Sequence, residues 1–254
     1  MKTTMRLLSA TLAILGSVPL AADEHHDAAH SWTYAGDSGP AHWGDMSAEF
    51  ATCKLGEHQS PIDITGAAKA DLPAIQFDYH DAPLKIVNNG HTIMVTVAPG
   101  SSITVGGKRY DLVQFHFHHP SEEKIAGRQY DMVAHLVHKD AAGQLAVVGV
   151  LLQGGGAANP LLDRLWSHLP AKVGEEQTVA TISVNAKALL PQERGYYTFD
   201  GSLTTPPCSE GVTWFVLKQP LRVSAKEVEK FAAVYPNNAR PVQPLNGRSL
   251  REAK

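Results

Sequence analysis

The chain has 254 residues, with 22 lysines and arginines against 25 aspartates and glutamates, for a net charge of −3 with histidine neutral. That weakly acidic balance excludes a nucleic-acid binder working through a basic face. The length suffices for one large hydrophobic core without requiring a second domain.

Taken in chain order, the first element is an export signal at residues 1–22. Lys2 and Arg6 precede an uncharged apolar run, Leu7–Leu20, and Ala21-Ala22 offer small residues for cleavage. The run is too short to cross a bilayer, which needs about 20 apolar residues. Its removal takes away two basic residues and no acidic one, moving the net charge from −3 to −5. Residues 23–31 form a polar, histidine-rich leader that reads as solvated chain. Residues 32–254 contain no repeat, heptad or composition break, and are expected to form one domain. The only two cysteines are Cys53 and Cys208. An even count in an exported chain reads as one disulfide, the alternative being two buried thiols.

Most of this domain alternates as strands do. Thr92–Val97, Ser102–Val105, Gln114–His118, Met132–His138, Leu145–Leu152, Thr178–Val184 and Thr213–Leu217 are short and rich in β-branched or aromatic residues. Turn signals separate them, among them Asn88-Asn89-Gly90, Pro99-Gly100 and Gly106-Gly107. Helices are expected at Pro160–His168 and Ser224–Ala233, the second opening on a Ser224/Glu227 capping box. The expected fold class is mainly β (α+β), a largely antiparallel sheet with peripheral helices.

Gln114-Phe115-His116-Phe117-His118 is the most informative stretch. In a strand, Gln114, His116 and His118 share one face, and the two phenylalanines point into packing on the other. Two imidazoles so placed can hold one metal ion, and His135 on a neighbouring strand could supply a third ligand. Three neutral imidazoles leave the open fourth position of a catalytic zinc site. His42, His58, His80, His119, His138 and His168 need no such role.

Gly201–Pro207 (GSLTTPP), with Gln114–His118, Ala134–His138, Asn88–His91 and Gln59–Ile64, resembles the α-class carbonic anhydrases, bacterial exported type. Gly211–Trp214 and Gln243–Arg248 extend the resemblance over nearly the whole mature chain. It implies a zinc enzyme that hydrates carbon dioxide reversibly to bicarbonate and a proton by zinc-hydroxide attack. His116, His118 and His135 would be the metal ligands, and Cys53 and Cys208 would form the family's bridge. Glu122 and Thr204 would orient the nucleophile, with Thr205 beside bicarbonate. Val137, Val147, Leu203, Val212 and Trp214 would wall the carbon dioxide site, and His91 would shuttle the proton. A relative kept only as a binding domain would be expected to lose ligand histidines, and all three are present. Location in the periplasm or outside the cell follows from the signal. No membrane anchor or nucleic-acid partner is expected, and a monomer and a dimer are both compatible with the sequence.

The resemblance also assigns outer partners to the ligands: Gln114 to His116, and the Asn246 carbonyl to His118. For His135 the family uses a glutamate two residues earlier, where this chain has Val133. Glu123 replaces a histidine and Phe199 a tyrosine that commonly touch that glutamate. The expectation is a swap in which the Glu123 carboxylate takes over from position 133. Met94, in place of a polar residue, would make one cleft wall less polar.

Overall fold

Side-chain alternation in the central strands accounts for the architecture of the computed structural model, which describes residues 31–253. In the strand Met132–Lys139, Met132, Ala134 and Leu136 enter one apolar cluster, and Val133 and Val137 enter another on the opposite face. Leu145–Gln153 divides likewise, with Val148, Val150 and Leu152 on the first side and Val147 and Leu151 on the second. Covered on both faces, these strands need almost continuous apolar sequence.

Thirteen strands among the described residues join in one twisted, mixed sheet. Its path runs Glu176–Val184, Ala82–Asn88, Ile93–Thr96, Lys108–His118, Met132–Lys139, Leu145–Gln153, Glu210–Leu217, Tyr196–Ser202, Arg251–Ala253 and Ala68–Ala70. Pairing along this path is antiparallel except between Leu145–Gln153 and Glu210–Leu217, and between the last two strands. From Trp32 onward the chain forms one compact unit. The export signal and nearly all of the leader lie outside the described residues.

Each expected strand is present, several of them longer than their alternation indicated. Ala82–Asn88 and Tyr196–Ser202 carry weaker signals. Pro83 stands beside a register shift in the first, and Asp200-Gly201 interrupts the second with turn-forming residues. Both helices form, at Pro160–Trp166 and Ala225–Val234. Asn159 caps the first, and the Ser224/Glu227 capping box opens the second. The first ends before His168, where the Ser167 hydroxyl and N–H both donate to Asp163 O. These helices back the histidine strand: the Phe117 ring centroid lies 5.2 Å from Trp166 and 6.0 Å from Phe231.

Cys53 and Cys208 are joined in a disulfide and form a third apolar cluster with Trp43. No helix among the described residues is long and apolar enough to cross a membrane.

Candidate metal centre and active site

Strand register builds the histidine triangle. His116 pairs directly with His135 across two antiparallel strands, and His118 follows two residues along on the same face. One ligand atom from each imidazole lies within 4.8 Å of the others. His116 opens toward a cleft of about 120 Å³, whereas His118 and His135 are each 1% exposed.

The outer partners decide which nitrogen is free. His116 Nδ1 lies 2.8 Å from Gln114 Oε1 and His118 Nδ1 lies 2.7 Å from the Asn238 carbonyl. Both oxygens only accept, so each Nδ1 carries the proton and each Nε2 keeps its lone pair. His135 is turned the other way: its Nε2 lies 3.1 and 3.2 Å from the two oxygens of Glu123, leaving Nδ1 free. His118 Nε2 is buried and has no hydrogen-bond partner. Orphaned, inward-facing imidazole nitrogens are the donor set that a tetrahedral zinc ion takes with one position left over. The residues present therefore fit the ion.

Protonation at this site follows from burial and neighbours. Burial, reinforced by the nearby His135, pushes His116 down to about 3. His118 is driven well below its ordinary value by burial and by both other imidazoles. These two rings are thereby held in the neutral form that ligates metal. At His135 burial again opposes charge, but the Glu123 and Glu122 carboxylates outweigh it and the pKa is raised.

Glu122 is 1% exposed, and Oε1 accepts the Arg240 backbone N–H at 2.8 Å. Its second oxygen, Oε2, lies 3.5 Å from His118 Nε2. Burial pushes its pKa up to about 7, against the lowering influence of His135, the Arg240 N–H and the Thr204 hydroxyl. Thr204 is buried and Thr205 lines the cleft. The loop carrying them is pinned at its far end, where Cys208 N–H donates to Thr205 O and Leu203 N–H to Ser209 O.

Val137, Val147, Val212 and Trp214 belong to the apolar cluster on the histidine face of the sheet, and Leu203 packs against it. The Trp214 ring meets His135 edge-on at 4.9 Å, and its Nε1–H donates to Ser202 O. Met94 pairs with His116 across the strands and lines the cleft. His91 lines the same cleft, half-buried and stacked on Trp32 at 3.6 Å, and burial lowers its pKa.

One expected partner is corrected. Asn246 does not meet His118: it is exposed, has a positive φ of 50° beside Gly247, and its side chain donates to Glu57 O. The carbonyl on His118 belongs to Asn238, which is fully buried. Asn238 also donates from Nδ2 to His91 O and Phe117 O, and accepts the His119 N–H at Oδ1. Arg240 and Trp32 were likewise absent from the sequence expectations. The segment Asn237-Asn238-Ala239-Arg240 offered a signal only in its lone internal arginine, since both its key contacts are made by backbone atoms.

Comparison with known proteins agrees with this geometry. A family model described as eukaryotic-type carbonic anhydrase matches residues 38–254. A carbonic anhydrase of Klebsiella pneumoniae is 42% identical over 255 residues, covering 99% of this chain and all of that protein. One from Pectobacterium carotovorum is 45% identical over 225 residues, covering 88% of this chain and 91% of the relative. A solved hyperthermostable carbonic anhydrase from an active hydrothermal vent chimney superposes with a TM-score of 0.85 at 45% identity, covering 88% of this chain and 100% of that one. With a matching family model over most of its length and a three-histidine cluster on the central sheet, the chain belongs to the eukaryotic-type, or α, carbonic anhydrase family and is a carbonic anhydrase.

Proposed function

We propose that the protein is a zinc-dependent carbonic anhydrase, acting in the periplasm or outside the cell, that interconverts carbon dioxide with bicarbonate and a proton. The observation that carries this reading is the set of three inward ring nitrogens left free by Gln114, Asn238 and Glu123, beside the buried Glu122. His116, His118 and His135 would hold zinc, which supplies a Lewis acid that makes hydroxide available near pH 7.

The chain's own residues then do three jobs. Glu122, fixed by the Arg240 N–H, keeps an oxygen to accept the Thr204 hydroxyl proton. A Thr204 oxygen committed in this way can only accept from the attacking oxygen, which turns a lone pair toward the substrate carbon. Carbon dioxide is apolar and uncharged, so Val137, Val147, Leu203, Val212 and Trp214 hold it by excluding water. Thr205 offers a polar edge for bicarbonate. His91 takes the released proton at its imidazole and passes it to solvent, a role open to an ionisable ring that lines the cleft and whose burial favours giving the proton up again. The Cys53–Cys208 disulfide supports an oxidising compartment.

Metal removal tests this directly. Dialysis against a strong chelator is expected to abolish carbon dioxide hydration, and about one equivalent of zinc per chain is expected to restore it. Full turnover in metal-free protein would contradict the proposal.

A further inference from the structure

His135 is the ligand whose outer nitrogen faces a charge. Gln114 and Asn238 offer neutral oxygens to the other two rings, whereas both oxygens of Glu123 approach His135 Nε2, at 3.1 and 3.2 Å. Val133 shares the His135 strand and face, two residues away, yet it is hydrocarbon, fully buried and part of the apolar cluster on that side. Val137, two residues the other way, is hydrocarbon as well. The ring's own strand therefore provides no side chain on that face able to hold Nε2, and the acceptor comes from a separate segment.

That segment is firmly placed. Ser121 Oγ donates to Glu123 O at 2.8 Å, Ser121 N–H donates to Tyr130 O, and Lys124–Ile125 pairs in parallel with Asp63–Ile64. Consecutive residues then bracket one imidazole: Glu122 Oε2 lies 3.8 Å from His135 Nδ1, and Glu123 lies on Nε2. Both glutamates are at most 1% exposed. Both carboxylates can place negative charge beside the position a dication would take, which lowers the cost of holding it among buried groups.

We propose that Glu123 is the positioning residue that fixes the His135 ring and places negative charge behind it at the metal centre, a task that a carboxylate at position 133 could perform in its place. This rests on the metal-centre reading above. The apolar surroundings fit the relocation: Phe199, with no hydroxyl, stacks on Trp214 at 6.1 Å in the same cluster as Val133. A carboxylate supplied from the Glu123 segment lets that patch stay hydrocarbon.

The test uses the oxidised full-length protein stripped of metal, with zinc affinity read by competition with a chromophoric chelator and ligand geometry by the visible spectrum of the cobalt-substituted form. Glu123→Ala is expected to weaken zinc binding by about 10–100-fold and to alter the cobalt spectrum. The double variant Glu123→Ala/Val133→Glu is expected to regain most of that affinity and the original spectrum. Glu123→Gln, nearly isosteric, covers the case in which Glu123→Ala does not fold, and is expected to lose about tenfold or more. Zinc affinity within about threefold of the unmodified protein in both single variants would overturn the proposal. So would a folded double variant that binds no better than Glu123→Ala. Unmodified protein that binds no zinc would overturn the metal-centre reading itself, an outcome seen before any variant is made.

Discussion

A histidine ligates metal through whichever ring nitrogen its outer partner leaves unprotonated, and the three clustered histidines here differ in that respect. His116 and His118 present Nε2, and His135 presents Nδ1, because Gln114, Asn238 and Glu123 occupy the opposite nitrogens. Two of those partners were expected from the family resemblance, Gln114 directly and Glu123 from the hydrocarbon that stands at Val133 in place of the family's glutamate. Asn238 was not, because its contact with His118 is made by a backbone carbonyl, which any residue type could supply. His91 was singled out by the resemblance, but its stacking on Trp32 was not foreseen, since that tryptophan lies far away in sequence. For the proton relay, His91→Ala is expected to lower kcat by about tenfold or more in dilute buffer, with kcat/KM unchanged and added imidazole restoring turnover. Unchanged kcat in dilute buffer would remove His91 from that role.

Among the elements, register does what no single residue can. Pairing His116 with His135 follows from antiparallel pairing with the apolar faces matched, and a slip by one residue would turn His135 away from the cleft. The adjoining strands need small residues where they approach other groups closely: a Cβ on Gly201 would collide with Ser60 Oγ and the Trp214 ring. The loop bearing Thr204 and Thr205 is tied down through Cys208, and Cys53 O accepts from Arg240 Nη2, whose backbone N–H holds Glu122. One disulfide thus braces both the loop that carries Thr204 and the segment that holds Glu122. With the cysteines 155 positions apart in sequence, opening it by Cys53→Ser/Cys208→Ser is expected to cost about 2–5 kcal/mol of unfolding free energy in urea titrations. A fall in kcat/KM should accompany it, as Thr204 loses its fixed place. A stability change below about 1 kcal/mol would contradict the bracing role.

At the scale of the molecule, the sheet separates structural and chemical tasks between its two faces. One face builds the larger core with Phe115, Phe117 and the two helices, and the other carries the histidines and the apolar wall. The mainly β class and both helices were legible because alternation and capping are local signals. The mixed character of the sheet was not, because parallel pairing of Leu145–Gln153 with Glu210–Leu217 depends on chain paths that local pattern does not encode. Val133 belongs to the same lesson: its hydrocarbon marked a departure, but only the folded arrangement brings Glu123 to His135. The central claim is that this histidine face hydrates carbon dioxide through a metal held by His116, His118 and His135. Stopped-flow hydration on the oxidised mature protein, with zinc quantified in the same sample, tests it most directly. The account predicts fast turnover with about one zinc per chain, lost in His116→Ala. One zinc per chain without turnover, or turnover surviving in His116→Ala, would contradict it.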